Sequence, residues 1–240
     1  MEKIAVYTGS KNLYENMVTA AKSLTANSDV DKIYFLIEDD IFPFDLPNHI
    51  EIMNMSKQNY FIDASPNMTT HFTYFALLRA ALPLIFPQYD RILSLDVDTI
   101  AVRKCSDVWN LELQNRYFTA APEWRKSKEG LRYTNAGVTL FNLKKLRDTG
   151  KVDEVIDVLN RRQYIFVDQD VLNYLCQGNI GEMPSEYNAN EFTWPCTNPR
   201  IVHFAGIHYE KWNNKPQVAK YRNMSWNDVF VERRQLEYRS

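Results

Sequence analysis

The stretch Arg91-Ile92-Leu93-Ser94-Leu95-Asp96-Val97-Asp98-Thr99 decides how the rest of the chain is read. Its first half is a nearly unbroken apolar run of strand length, the pattern of a strand buried on both faces. Its second half places two carboxylates at positions i and i+2. On extended backbone those side chains leave the same face. Two like charges projecting together repel unless a cation lies between them. A hard divalent ion such as Mg²⁺ or Mn²⁺ suits oxygen ligands of that kind. Ligands of open α/β sheets sit outside the carboxyl ends of strands, where this acid pair falls. The bland alternative is a pair of solvated acids at a strand end.

Working outward, Ile4-Ala5-Val6-Tyr7 reads as a buried first strand that ends at Thr8-Gly9-Ser10. Leu13, Met17, Ala20, Ala21 and Leu24 then recur at helical spacing. Ile33 to Ile37 is a second strand and Ile50 to Met53 a weaker third. Strand, helix, strand, strand is the opening of an open α/β sheet. Residues from about Thr69 to Ile85, with Phe72, Phe75, Ala76, Arg79, Ala80 and Leu82, predict a helix perturbed at Pro83. Gly137 to Phe141 reads as a strand, Lys144-Lys145-Leu146 opens a polar helix, and Val152 to Leu159 is helical by period. Asp168 to Cys176 is a further helix, stopped at Gly178. The last third, with Pro184, Pro195, Pro199 and Pro216 among aromatics, reads as loops and short elements around a site. One domain over residues 1–240 is expected, with a tail from about 213 to 240 that could stand at its periphery.

Bulk numbers narrow the function. With 240 residues and 45% hydrophobic content a sizeable core is available. Glycine numbers only 7, and neither G-x-G-x-x-G nor G-x-x-x-x-G-K-[ST] occurs, which argues against a glycine-rich phosphate loop. A net charge of −2 gives no broad surface for nucleic acid. Arg233, Arg234 and Arg239, interrupted by Glu232 and Glu237, read as a solvated face. The 3 cysteines, Cys105, Cys176 and Cys196, are far apart and form no C-x-x-C. The opening residues turn polar too soon for a signal peptide, and no apolar run reaches transmembrane length. A cytoplasmic, reducing compartment is the expectation.

Three further clusters could carry chemistry. Asp168-Gln169-Asp170 opens a helix. An N-cap with dipole-favoured acids explains Asp168 but does not require Gln169. Asn135-Ala136-Gly137 reads by itself as a turn, with Gly supplying an unusual backbone angle. An Asn amide there could also hold sugar hydroxyls. His203 follows the short strand Ile201-Val202 and precedes Gly206, Lys211 and Trp212. An imidazole is a good Mn²⁺ ligand, and an ammonium is a good diphosphate partner.

In this order and spacing the pieces resemble glycosyltransferase family 8, a retaining group with the GT-A fold. Leu95-Asp96-Val97-Asp98-Thr99 looks like the family's D-x-D. Asn135-Ala136-Gly137-Val138, followed by Phe141-Asn142-Leu143, looks like its N-A-G-V…N-L. Asp168-Gln169-Asp170-Val171-Leu172-Asn173 is similar to its D-Q-D-x-L-N, and His203-Phe204-Ala205-Gly206 to its late H-x-x-G. Arg79 lies 17 residues before Asp96, where the family places a donor-binding arginine. The resemblance implies an α/β fold of GT-A type, a Rossmann-like mixed open sheet flanked by helices. It implies a hexose transferred from a UDP-sugar, with Mn²⁺ or Mg²⁺, to a glycan, lipid-linked or protein acceptor. Asp96, Asp98 and His203 would ligate the metal. Thr8, Gly9, Tyr14, Asp96, Val97, Gly206 and Lys211 would hold the nucleotide. Arg79, Asn135, Asp168 and Gln169 would contact the donor sugar. Lys215-Pro216 is a second candidate for the lysine, because Lys211 stands further past Gly206 than the family pattern has it. Retention allows same-face attack or a transient adduct, with Gln169 or Asp170 as the nearest candidate nucleophile.

Two rivals remain open at this level. Asp96-Val97-Asp98-Thr99 also matches the D-x-D-x-T of haloacid-dehalogenase-type phosphatases, but their later G-D-x-x-x-D is absent. The aromatics Tyr187, Phe192, Trp194, Tyr209 and Trp212 could instead stack on sugars in a non-catalytic binding module.

Overall fold

Ile4-Ala5-Val6-Tyr7 alternates between two cores. Ala5 and Tyr7 join one buried cluster, Ile4 and Val6 the other. Both faces of the central sheet are therefore covered, which is why its strands read as continuous apolar runs. The computed structural model describes residues 2–68, 70, 74–126, 131–206 and 212–238. Strand β1 (Ile4–Thr8) runs into helix α1 (Tyr14–Asn27), followed by β2 (Lys32–Ile37) and β3 (Ile50–Asn54). Helix α2 (Tyr74–Ile85) precedes β4 (Arg91–Leu95) and the short β5 (Thr99–Ala101). Next come β6 (Phe118–Pro122), β7 (Thr134–Asn142), α3 (Leu143–Asp148), α4 (Lys151–Arg161), α5 (Val167–Leu175), β8 (Ile180–Glu182) and β9 (Ile201–His203). Helices α6 (Pro216–Asn223) and α7 (Trp226–Tyr238) follow. Among the described residues no helix is long and apolar enough to cross a membrane.

The strand order is β3-β2-β1-β4-β7-β6-β8. The first four strands are mutually parallel, β7 runs antiparallel to both β4 and β6, and β8 is parallel to β6. This is the mixed α/β sheet expected from the sequence. Its order reverses between β1 and β4, so Thr8-Gly9 and Asp96 emerge side by side at the crevice where such sheets bind ligands. A separate ladder pairs β5 with β9 antiparallel, with Thr99 opposite His203.

Several expectations shift. Helix α2 begins at Tyr74, and of its expected first residues Thr69, His71, Phe72 and Thr73 lie outside the described residues. Helix α5 starts at Val167 with Phe166 as its N-cap, so Asp168 is not the cap. Asn135-Ala136-Gly137 is no turn: it lies inside β7, and Gly137 is not among the positive-φ glycines. Strands β6 and β8 have no clear periodicity, because Phe-Thr-Ala-Ala-Pro and Ile-Gly-Glu are too short to show one. The tail is helical. Val229 of α7 and Val218 of α6 are fully buried, and Tyr221 takes a 2.7 Å hydrogen bond from Asn27 of α1. Few residues of these helices reach the core, which explains their weak pattern.

Candidate active site

Asp96 leaves β4 in a tight turn. Its carbonyl accepts the Thr99 hydroxyl at 2.7 Å, and its own amide donates to Gly137 at 2.8 Å. The Phe204 amide donates to the Asp98 carbonyl at 3.0 Å, which extends the β5–β9 ladder and delivers His203 to the acids. Its Nε2 lies 3.3 Å from Asp98 Oδ1 and 3.6 Å from Asp96 Oδ2. One ligand atom from each of Asp96, Asp98 and His203 falls within 4.8 Å of the others. The imidazole lies against Gly137: a Cβ there would sit 2.0 Å from His203 Cε1. Gly137 is thus required by close approach rather than by an unusual backbone angle.

Burial alone would raise the Asp98 carboxyl, yet the nearby imidazole holds it below the usual carboxylate range. Burial alone would lower the pKa of His203, but Asp98, with Asp96 behind it, pushes it up. The trio favours positive charge at its centre.

Arg79 of α2 reaches the same place. Its guanidinium pairs with Asp96, donates to the Ala136 carbonyl at 2.6 Å, and places Nε 3.5 Å from Asp168 Oδ2. That last approach is an ion pair and not a hydrogen bond: Nε and Oδ2 are both buried with no hydrogen-bond partner among the described residues. Asp168 is 3% exposed, and burial pushes its carboxyl up to about 6 despite Arg79. A well-paired carboxylate would move the other way, so burial outweighs the pairing here.

A cavity of about 310 Å³ opens over these groups. Thr8, Gly9, Arg79, Asp96, Val97, Asp98, Asp168 and Gln169 all line it. Other expected residues do not. Tyr14 is 2% exposed, its ring tilted against Phe42 at 4.8 Å and its hydroxyl donating to Asp39, so its ring faces the core. Asn135 is buried behind the cavity wall. Asp170 is held by the Tyr133 hydroxyl and by the Phe166 amide at 2.9 Å, and it is not part of the lining. Gly206 adopts φ +71 near Phe192. Lys211 lies outside the described residues, and Lys215 forms the N-cap of α6. Of the proposed stacking aromatics, Tyr187 and Trp212 are core residues, whereas Trp194 is 55% exposed. Tyr209 lies outside the described residues.

Glu123, Phe166 and Asn188 belong to the site and were not singled out by sequence. Phe166 lines the cavity, while Glu123 and Asn188 hold side chains behind it. Glu123 could have been noticed as a lone acid closing an apolar run, and Asn188-Ala189-Asn190 as a second polar i, i+2 pair. A larger groove of about 1010 Å³ lies elsewhere, toward Lys3, Arg200 and α7. Its charges are largely paired with one another, as in Lys3–Asp29, Arg200–Asp107 and Lys220–Glu232.

The model of glycosyl transferase family 8 matches residues 5–216. The chain belongs to that family. Its relatives include glycosyltransferase GlyE of Streptococcus pneumoniae, 27% identical over 200 residues, 78% of this chain and 48% of GlyE. Another is the lipopolysaccharide 1,2-glucosyltransferase of Escherichia coli, 25% identical over 188 residues, 65% of this chain and 55% of that protein. The chain thus spans about half the length of these curated relatives. Among solved structures, GlyE superposes with a TM-score of 0.72 at 23% identity, over 97% of this chain and 63% of GlyE. The galactosyltransferase LgtC, solved with donor and acceptor sugar analogues, gives 0.68 at 19% identity, over 95% of this chain and 99% of LgtC. At those identities the likeness speaks for the fold, which is the GT-A arrangement expected. Membership in family 8 sets aside the phosphatase reading.

Proposed function

We propose that this family 8 chain is a retaining hexosyltransferase that uses a UDP-sugar, with Mn²⁺ or Mg²⁺, to modify a glycan, lipid-linked or protein acceptor. The observation that carries this reading is the convergence of Asp96, Asp98 and His203 beside a cavity at the sheet's switch point. Two carboxylates and an imidazole suit a divalent ion of this kind. The Nδ1 of His203 is engaged by Asn188 at 2.9 Å, which leaves Nε2 for the ion. Such an ion, when bound, supplies positive charge against a diphosphate.

The chain's own residues do the rest. Arg79 fixes the Asp96 carboxylate and carries permanent positive charge to the cavity floor. The unpartnered atoms of Arg79 and Asp168 are a buried donor and acceptor, the pair that a sugar's hydroxyls satisfy. Thr8, Gly9 and Val97 form the wall left for the nucleotide. Asp168 faces the cavity, whereas Asp170 is not part of its lining and each of its oxygens accepts a hydrogen bond, so a nucleophilic role fits Asp170 poorly. Same-face attack needs no protein nucleophile.

Asp98→Ala is expected to abolish UDP release from UDP-sugars at saturating Mn²⁺ while circular dichroism remains that of the wild type. Near-normal turnover in that variant would remove the metal assignment.

A further inference from the structure

Glu123 lies just past β6 and is 4% exposed. Its Oε1 accepts two amides: Asn135 Nδ2 at 3.0 Å and Gln169 Nε2 at 3.1 Å. Asn135 Oδ1 in turn accepts Asn188 Nδ2 at 3.0 Å, and Asn188 Oδ1 faces His203 Nδ1 at 2.9 Å. Asn135 is 6% exposed, Asn188 0% and His203 5%, so water has no access to rearrange the chain.

We propose that Glu123 is a positioning residue: its carboxylate sets the polarity of an Asn135–Asn188 amide chain that ends on the metal-facing imidazole, and it also holds Gln169. The argument is one of donors and acceptors. A side-chain amide can present either end to a neighbour, so a chain of amides has no intrinsic direction. A carboxylate only accepts. It forces Asn135 to turn its NH₂ toward Glu123 and its oxygen toward Asn188. The Gly137 amide, donating to Asn135 Oδ1 at 3.1 Å, holds the same orientation. Asn188 must then turn its NH₂ toward Asn135 and its oxygen toward His203. The imidazole proton is thereby placed on Nδ1, and the Nε2 lone pair faces Asp96 and Asp98. Through Gln169, whose Oε1 accepts the Ala136 amide at 2.9 Å, the same carboxylate fixes a cavity-lining side chain. One buried acid outside the cavity lining, its other oxygen 3.4 Å from Lys126 Nζ, thus orients both halves of the site.

This inference rests on the metal reading above, and the test separates the two. Glu123→Ala removes the acceptor. Glu123→Gln keeps a carbonyl oxygen but adds an NH₂ that can take its place, so the accept-only constraint is lost. Mn²⁺ affinity is measured by calorimetry, and the His203 tautomer by ¹⁵N imidazole shifts in metal-free protein. Glu123→Ala is expected to weaken Mn²⁺ binding roughly 10- to 100-fold, the usual effect of losing an outer-shell partner, and to shift the tautomer away from Nδ1–H. Glu123→Gln is expected to fall between the wild type and Glu123→Ala in Mn²⁺ affinity and in tautomer, since its oxygen can still accept but an amide no longer forces the direction. Should Glu123→Ala not fold, Glu123→Met, of similar length and without an acceptor, takes its place. Unchanged Mn²⁺ affinity and tautomer in the Ala or Met variant overturns the inference, as does a Gln variant indistinguishable from the wild type. Wild-type protein that binds no Mn²⁺ overturns the functional reading instead, while the tautomer still reports on Glu123.

Discussion

Asp168 is held at 3% exposure with one oxygen lacking a hydrogen-bond partner among the described residues, so its surroundings favour the neutral acid. Its pKa rises from 3.8 to about 6, first because of burial. The folded state then keeps the proton longer than the unfolded chain. Stability therefore falls as pH rises from about 4 to about 6, and the loss is complete above that window. Asp168→Asn carries no such penalty. In chelator it is expected to exceed the wild type in stability above pH 6 by up to about 3 kcal/mol, and to match it near pH 4. Urea unfolding at the two pH values checks this, and parallel profiles for the two proteins would sink it. Sugar transfer should fall in the same variant. Asn173 is a different case. Its Oδ1 accepts the Thr134 amide at 2.7 Å and its Nδ2 donates to the Thr134 carbonyl at 2.8 Å, strapping α5 to β7. The motif Asp168-Gln169-Asp170-Val171-Leu172-Asn173 thus mixes site residues with fasteners, and spacing could not sort them.

At the scale of elements, β7 sets Ala136 in the cavity wall and Gly137 against the His203 ring. Eight of its nine residues are buried, and Gly137 leaves room for the His203 ring. Gly137→Ala would force the imidazole or the strand aside. An overpacking cost of about 1–3 kcal/mol is expected, together with weakened Mn²⁺ binding. Thermal unfolding and a Mn²⁺ titration check both, and an unchanged titration would show that the ring tolerates displacement. Strands β1, β2 and β4 were legible because burial on both faces leaves an apolar run. Helix α1 was legible because Met17, Ala20, Ala21 and Leu24, all 0% exposed, keep helical spacing. Strands β6 and β8 stayed hidden because pairing, not pattern, makes them strands.

Across the whole molecule, the last two helices pack against α1 and the segment between β2 and β3. His49 lies 6.0 Å from the Trp226 ring and 5.8 Å from Phe230, both on α7, and meets the Thr25 hydroxyl at 3.0 Å. Burial, with Arg233 nearby, lowers its pKa from 6.5 to about 4. On acidification the unfolded chain takes the proton first, so stability is lost as pH falls from about 6.5 toward 4. Melting temperatures measured from pH 7 to 4.5 should drop less steeply in His49→Gln than in the wild type, and equal slopes would clear His49 of this role. The sequence alone determined the sheet's opening strands, the acid pair at the end of β4 and the membership that the motif order implied, because each depends on neighbours in the chain. Only the tertiary structure decided that Tyr14 packs into the core, that Asp170 is held by Tyr133 and Phe166 outside the cavity lining, and that Glu123 meets Asn135 and Gln169. Those outcomes depend on contacts between residues far apart in sequence, and no local pattern records which side chain a fold will bury beside another.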